Sequence, residues 1–281
     1  MTDESAALYV VPTPIGHLDD ISRRAVDLLQ QVPWVAAEDT RHTGNLLRHL
    51  GCRARLLPAH QHNEQAAAQQ IIGKLHAGEA VALVVDAGTP GISDPGARLV
   101  AQIRAAGFRV VPLPGPCAAI VALSAAGLND AHFLFYGFLP AKAGPRDAVL
   151  RELACLPYAL IFYEAPHRIV DTVAALLAAC GAERRVVLAR ELTKVFESIH
   201  SCLLGELPAW LAADDNRQRG EFVFIIGGAT INAAEQEGRR VLQLLLDDGL
   251  PPSQASRLAH AITGTSKKIL YQQALAWHAP E

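Results

Sequence analysis

The sequence predicts an α/β protein built as two α/β domains followed by a small helical domain. Three observations predict it. Short apolar runs alternate with amphipathic stretches, as in a largely parallel sheet with crossover helices. Several of those runs end in loops dense in Gly, Pro, Asp and Glu. Beyond Gly227-Gly228 the hydrophobic period becomes purely helical. The expected domains cover residues 1–128, 129–229 and 230–281.

The elements follow in order. Leu8 to Val11 reads as a first strand, closed by the loop Pro12-Thr13-Pro14-Ile15-Gly16. Asp20 is placed to cap a helix through Gln31 that carries Ile21, Ala25, Leu28 and Leu29 on one face. Residues 34–37 form a second strand that runs into Glu38-Asp39-Thr40-Arg41. A helix follows to His49, where Gly51 stops it. A short strand at 55–57 and a helix over 64–76 come next. The run Val81-Ala82-Leu83-Val84-Val85 is uninterrupted and rich in valine, which implies a strand buried on both faces. A helix over 96–106 and a strand at 109–113 complete the first unit. After Pro114-Gly115-Pro116, residues 117–126 read as a helix of small side chains. The second unit has strands at 133–136, 159–163, 185–189 and 222–226. Around 194–204 the pattern VFESIHSCLL suggests an antiparallel strand rather than another crossover. Three helices close the chain: one carries Leu242, Leu245 and Leu246, one opens at Pro251-Pro252-Ser253, and one covers 267–276.

Composition narrows the class. The 281 residues are 51% hydrophobic, yet no 18-residue apolar run is present, so a membrane-spanning helix is not expected. The start MTDESAALYVV is acidic and lacks a basic leader and a cleavage pattern, so a cytoplasmic location is expected. Five cysteines are widely spaced with no CxxC, which argues against a disulfide framework or a zinc site. His60-Gln61-His62 looks like half a metal site, but it has no evident third ligand, and no metal is expected. The net charge of −3 does not advertise a nucleic-acid binder, although a local basic patch is what decides that.

Ligands of open parallel sheets collect at the carboxyl ends of the strands, so PTPIG, EDTR and DAGTPGISDPG should face one cleft. The last of these, at 86–96, is not a phosphate cradle. Pro90 and Pro95 each remove an amide donor, Asp86 and Asp94 add negative charge, and there is no lysine. A cationic or zwitterionic ligand fits better, with Asp86 accepting from an ammonium group and Ala87-Gly88 lying close beneath it. Asp94 is expected to cap the following helix.

The segments VPTPIGHLDDISRRA, AEDTRHTGNLL, DAGTPGISDPG, PLPGPCAAIVALSAAG, GFLPAK, FYEAPHR and ARELTKVFE occur in that order. Together they resemble the ribosomal RNA 2′-O-methyltransferase family of the tetrapyrrole methylase superfamily, whose fold is the class III methyltransferase type. The resemblance covers residues 8–229 and continues into a C-terminal segment where that family carries a helix-turn-helix-like domain. His17 departs from the family's usual Asn. The resemblance implies S-adenosyl-L-methionine as cofactor, held between the two α/β domains. Its expected contacts are Pro14, the loop Asp86, Ala87, Gly88 and Ile92, the turn Ser124-Ala125, Tyr163, and Leu188-Ala189. It further implies a cytidine ribose of 16S rRNA in the assembled 30S subunit as acceptor, a homodimer, and no need for a metal.

A ribose hydroxyl is a poor nucleophile, so a general base and close positioning would both help. Glu38, Asp39, Glu191 and Lys194 are the favoured catalytic candidates, with Glu64, Glu164 and Glu197 also in range of the motifs. Arg41, Arg168 and Arg190, and Lys267-Lys268 in the helical tail, suit phosphate contacts. Plainer roles stand beside these: Glu38-Asp39-Thr40 as a helix cap, the Arg190 to Glu197 charges as a solvated ion-pair run, and the tail as a packing domain. Two alternative functions share parts of the pattern, namely a methylase of tetrapyrroles or other small molecules and a non-catalytic RNA- or ribosome-binding protein.

Overall fold

The computed structural model describes residues 6–229 and 233–277. The chain divides into two compact units, Met1–Gly228 and Ala229–Glu281. The first unit begins with β1 (Ala7–Val10), α1 (Arg23–Gln31), β2 (Trp34–Ala37), α2 (Thr40–His49) and β3 (Arg55–Pro58). It continues through α3 (Glu64–His76), β4 (Val81–Val84), α4 (Ala97–Ala105), β5 (Arg109–Pro112) and α5 (Ala118–Ala125). A second run follows with β6 (Phe133–Phe138), α6 (Ala143–Leu153), β7 (Ala159–Glu164), α7 (Ile169–Cys180), β8 (Arg185–Arg190), β9 (Ser198–Leu203), α8 (Leu207–Ala212) and β10 (Phe222–Ile226).

Among the described residues these strands make two five-stranded sheets. The first has the order β3-β2-β4-β1-β5 and is parallel throughout. Its β4 lies at the centre and all four of its residues are buried, as its unbroken apolar run requires. Apolar side chains of α3 and α4 cover one face, including Ile71, Leu75, Leu99 and Ile103. Those of α1 and α2 cover the other, with Leu29 and Leu47 at the contact.

The second sheet has the order β6-β7-β10-β8-β9 and differs from the largely parallel expectation. Its β6 and β7 run parallel, but β10 pairs antiparallel with both β7 and β8, and β8 pairs antiparallel with β9. The chain returns through the middle of this sheet because FVFII is apolar at every position and all five residues are buried there. Leu160, Phe162, Leu188 and Phe224 form the centre of the core on one side. The small side chains of α5, with Ile161, Val187 and Val223, pack the other.

Two caps differ from expectation. Ser22, not Asp20, caps α1, its hydroxyl accepting from the Ala25 amide, while Asp20 lies in a preceding 3-10 turn. Gly96, at φ 131°, occupies the N-cap of α4 in place of Asp94, and its N–H donates to the Glu64 carboxylate at 2.6 Å. The reason is geometric: only glycine tolerates that φ, which leaves Asp94 two residues outside the helix and free to point elsewhere.

The second unit comprises α9 (Ala233–Asp247), α10 (Pro252–Thr263) and α11 (Lys267–Trp277). It is closed by a small core of Leu242, Ala255, Ala259, Leu270 and Ala274. Gly264, in the left-handed conformation, ends α10.

Candidate active site

The loops after β1 and β4 are adjacent because their strands are paired, and the backbone welds them together. Thr13 and Gly88 exchange both N–H···O bonds, at 2.9 and 3.0 Å, and the Thr13 hydroxyl donates to the Val85 carbonyl. The loop after β2 is tied to the same place by the Asp39 amide, which donates to the Asp86 carboxylate at 3.2 Å. Thr89 donates to the Pro116 carbonyl and so draws in the turn before α5.

These ties leave a cavity of about 440 Å³, inside the range of small-ligand sites. Ile15, Glu38 and the loop from Asp86 to Thr89 line it, as do Ile92 to Asp94, Cys117 and Ala118. The second sheet closes it with Phe138, Tyr163, Leu192, Phe222 and Val223. Five carboxylates line this space: Glu164 and Glu221 are held in ion pairs, whereas Glu38, Asp86 and Asp94 have no cationic partner among the described residues, and no lysine or arginine is among the described lining residues. Burial, then the nearby Asp86 and Asp39, raises the Glu38 carboxyl above its usual range. Burial pushes Asp94 up to about 6, with Glu38 and Asp86 adding to it. Ser93, at φ 61°, holds the loop in a conformation that L side chains rarely adopt.

Tyr163 is fixed from three directions. Its hydroxyl accepts from the Ala119 amide at 3.0 Å, and Phe135 and Phe138 meet its ring edge-on at 5.0 and 5.6 Å. Burial in that setting raises its phenol well above the ordinary value. Beneath it, Glu164 is fully buried but satisfied. It accepts from Thr172 at 2.6 Å and from the Ala165 amide at 2.8 Å, and it pairs with Arg168 at 3.1 Å.

The sequence-derived candidates divide by position. Asp86, Ala87, Gly88, Ile92, Tyr163 and Glu38 are on the cavity surface. Pro14 is buried behind it, and the neighbouring Ile15 lines it instead. Ser124 and Ala125 are at the far end of α5, whose opening residues Cys117 and Ala118 are the ones at the cavity. Leu188 and Ala189 are core residues of β8, and Leu192 reaches the cavity from the loop beyond that strand. Asp39 is the cap of α2. It accepts from the Arg41 and His42 amides and pairs with the Arg41 side chain at 3.1 Å, which holds its carboxyl at about 2.

Glu191 and Lys194 form an ion pair at 3.0 Å, which Glu221 extends through Lys194 at 2.9 Å. Burial opposes ionisation of Glu191, but the Glu221 amide and Lys194 outweigh it and hold the carboxyl below its usual range. The pair secures the loop that carries Leu192. That loop meets the one after β1 where His17 donates its amide to Thr193. A Cβ on Gly16 would stand 2.6 Å from Lys194 Cγ, so only glycine fits between them.

Arg168 donates to the Leu139 and Pro140 carbonyls, and Arg190 to those of Arg219 and Phe196, so both guanidiniums brace the walls. Arg41, Lys267 and Lys268 are exposed. Among the described residues no group of three His, Cys, Asp or Glu side chains is placed to hold a metal.

Fold and cavity together define a methylase of the tetrapyrrole type. Residues 7–208 match the model of the Tetrapyrrole (Corrin/Porphyrin) Methylases, and residues 232–278 match that of the RsmI C-terminal HTH domain. Among solved structures, the methyltransferase CobJ aligns with a TM-score of 0.60 at 21% identity, over 81% of this chain and 96% of that one. A uroporphyrin-III C-methyltransferase from Thermus thermophilus, complexed with S-adenosyl homocysteine, aligns at 0.55 and 19% identity, over 79% of this chain and 97% of that one.

Curated relatives are far more similar. The ribosomal RNA small subunit methyltransferase I of Escherichia coli O157:H7 is 52% identical over 95% of this chain and 94% of its own length. The protein of the same name from Pseudomonas aeruginosa is 52% identical over 96% of this chain and 97% of its own length. The chain belongs to this family of S-adenosylmethionine-dependent methyltransferases.

Proposed function

We propose that the chain transfers a methyl group to the ribose 2′-hydroxyl of a cytidine in 16S rRNA, within the assembled small subunit. The observation that carries the reading is the cavity: acidic, free of basic side chains, and of cofactor size. Such a lining rejects phosphate ligands and favours one that carries an ammonium and a sulfonium. S-adenosyl-L-methionine, when bound, supplies an electrophilic methyl group. Asp86 would accept from its ammonium, the Ala87-Gly88 backbone and Ile92 would lie along it, and Tyr163 with Leu192 would cover it.

We assign the acceptor's proton to Glu38, a reading supported by its position on the cavity surface and by the burial that raises its affinity for protons. Asp39, Glu191 and Lys194 act by fixing loops. Arg41 and the pair Lys267-Lys268 are the exposed cations suited to RNA phosphates. The relatives' names, small-subunit rRNA methyltransferases over nearly the full length, support RNA as the acceptor rather than a tetrapyrrole. We also place the protein in the cytoplasm as a homodimer. No described helix is long and apolar enough to cross a membrane.

Mass spectrometry of 16S rRNA from a strain with the gene disrupted tests the acceptor. The expected result is loss of one 2′-O-methylcytidine, regained on complementation. An unchanged set of ribose methylations would defeat the assignment.

A further inference from the structure

Phe138 is 51% exposed although it lines the cavity, and it owes that position to a fault in its strand. In a regular strand, residues three apart point to opposite faces. Phe135 and Phe138 are three apart, yet both meet the ring of Tyr163. The pairing of β6 with β7 explains it: Phe135 is opposite Ile161, but Gly137 is opposite Phe162 and Phe138 opposite Tyr163, so β6 carries one extra residue.

Gly137 makes the bulge possible. Its φ is 84°, and a Cβ there would stand 2.6 Å from Ser93 Oγ in the loop after β4. The bulge therefore seats the strand end against the cofactor loop and turns an aromatic ring onto the rim, beside the exposed Ile92, Ser93 and Pro166. Phe138 and the exposed Ile92 thus give the cavity mouth an apolar rim.

A cavity of about 440 Å³ is filled by one cofactor-sized molecule. A nucleotide still attached to its RNA must then present its hydroxyl from outside, with its base at the rim. We propose that Phe138 is a substrate-positioning residue: the base of the acceptor nucleotide, turned out of its stack, lies on the Phe138 ring while the ribose enters the mouth. Unstacked bases in RNA are commonly received on aromatic side chains in this way. The inference rests on the reading of the cavity as the cofactor site and of RNA as the acceptor.

The test compares Phe138→Ala, Phe138→Leu and Phe138→Trp with the wild-type full chain. S-adenosylmethionine affinity is read by calorimetry, and kcat/KM is measured with purified 30S subunits. Phe138→Ala should keep cofactor affinity within about twofold and lose about tenfold to a hundredfold in kcat/KM, the usual scale of one base stacked on an aromatic ring. Tryptophan should restore most of that loss, and leucine, which keeps bulk without a π-face, little of it.

Wild-type kcat/KM in Phe138→Ala would overturn the proposal. So would a fall in cofactor affinity that matches the fall in activity, since the ring would then be cofactor wall. Leucine performing as well as tryptophan, or a variant whose elution volume shows a changed oligomeric state, would also overturn it, in favour of apolar packing or of a second copy on this face. Failure of the wild-type chain itself to bind S-adenosylmethionine is a separate outcome, which removes the cofactor reading and the inference with it.

Discussion

The two sheets of the first unit build the cavity by different means. The parallel sheet contributes loops: Ile15, Glu38 and the Asp86 to Asp94 segment all follow strand ends, and backbone hydrogen bonds hold them together. The mixed sheet contributes mainly packed side chains, with Tyr163, Phe222 and Val223 projecting from its strands and Leu192 from a loop clamped by ions. The carboxylates without a cationic partner come from the loops, whereas those of the mixed sheet, Glu164 and Glu221, are tied into ion pairs. A loop site can exchange residues at little cost to folding, whereas a site made of strand faces shares its residues with the core.

Substitutions that separate folding from binding can break that distinction, and the largest effect should come from the mixed sheet. Phe162 is fully buried behind the cavity wall, so Phe162→Ala should cost about 3–5 kcal/mol of stability, read from denaturant unfolding. A loss below 1 kcal/mol would show that this sheet is not the rigid partner. Glu164→Gln comes next. It removes the charge facing Arg168 and unsettles the bonds from Thr172 and Ala165, for about 1–3 kcal/mol by the same assay.

On the loop side, Asp86→Ala should weaken S-adenosylmethionine binding roughly tenfold, the scale of one charge-assisted hydrogen bond, with a smaller change in unfolding midpoint than either strand variant. Equal affinity for the two proteins in calorimetry would remove Asp86 from the cofactor site.

The smallest effect sharpens the comparison through pH. The Asp94 carboxyl titrates at about 6 in the folded protein, against 3.8 for the free side chain. A raised carboxyl favours the neutral form. The stability it contributes is complete below the free value and is lost as pH climbs through about 6. A cationic cofactor is favoured by the ionised form but does not strictly require it, so its affinity should rise roughly threefold from pH 5 to 7. Asp94→Asn should flatten that dependence, apart from the contribution of Glu38, which is also raised. A slope unchanged in the variant would assign the dependence to Glu38 instead.

The same division explains what was legible in the sequence. The parallel sheet declared itself through apolar runs punctuated by Gly, Pro and Asp, and its three polar loops do converge on one cavity. Strand faces were harder. Leu188 and Ala189 read as cofactor contacts but face the core of β8, because a fully apolar strand gives no sign of which side meets a ligand. Of α5 it is the opening residues Cys117 and Ala118, next to the turn Pro114-Gly115-Pro116, that line the cavity, while Ser124 and Ala125 are at its other end. The insertion of β10 between β7 and β8 is a long-range pairing, and only its unbroken apolar run hinted at a central place. Phe138 lies in the GFLPAK segment but beyond the strand expected at 133–136, and the bulge at Gly137 that turns its ring was not read from the sequence.

The acidic cavity is proposed to deliver a cofactor methyl group to RNA. Incubating the purified chain with S-adenosylmethionine labelled in its methyl group and 30S subunits lacking the modification tests it most directly. Label is expected on one cytidine ribose of 16S rRNA, at a rate strongly reduced by Asp86→Ala. No transfer to RNA under conditions where calorimetry shows the cofactor bound would contradict it.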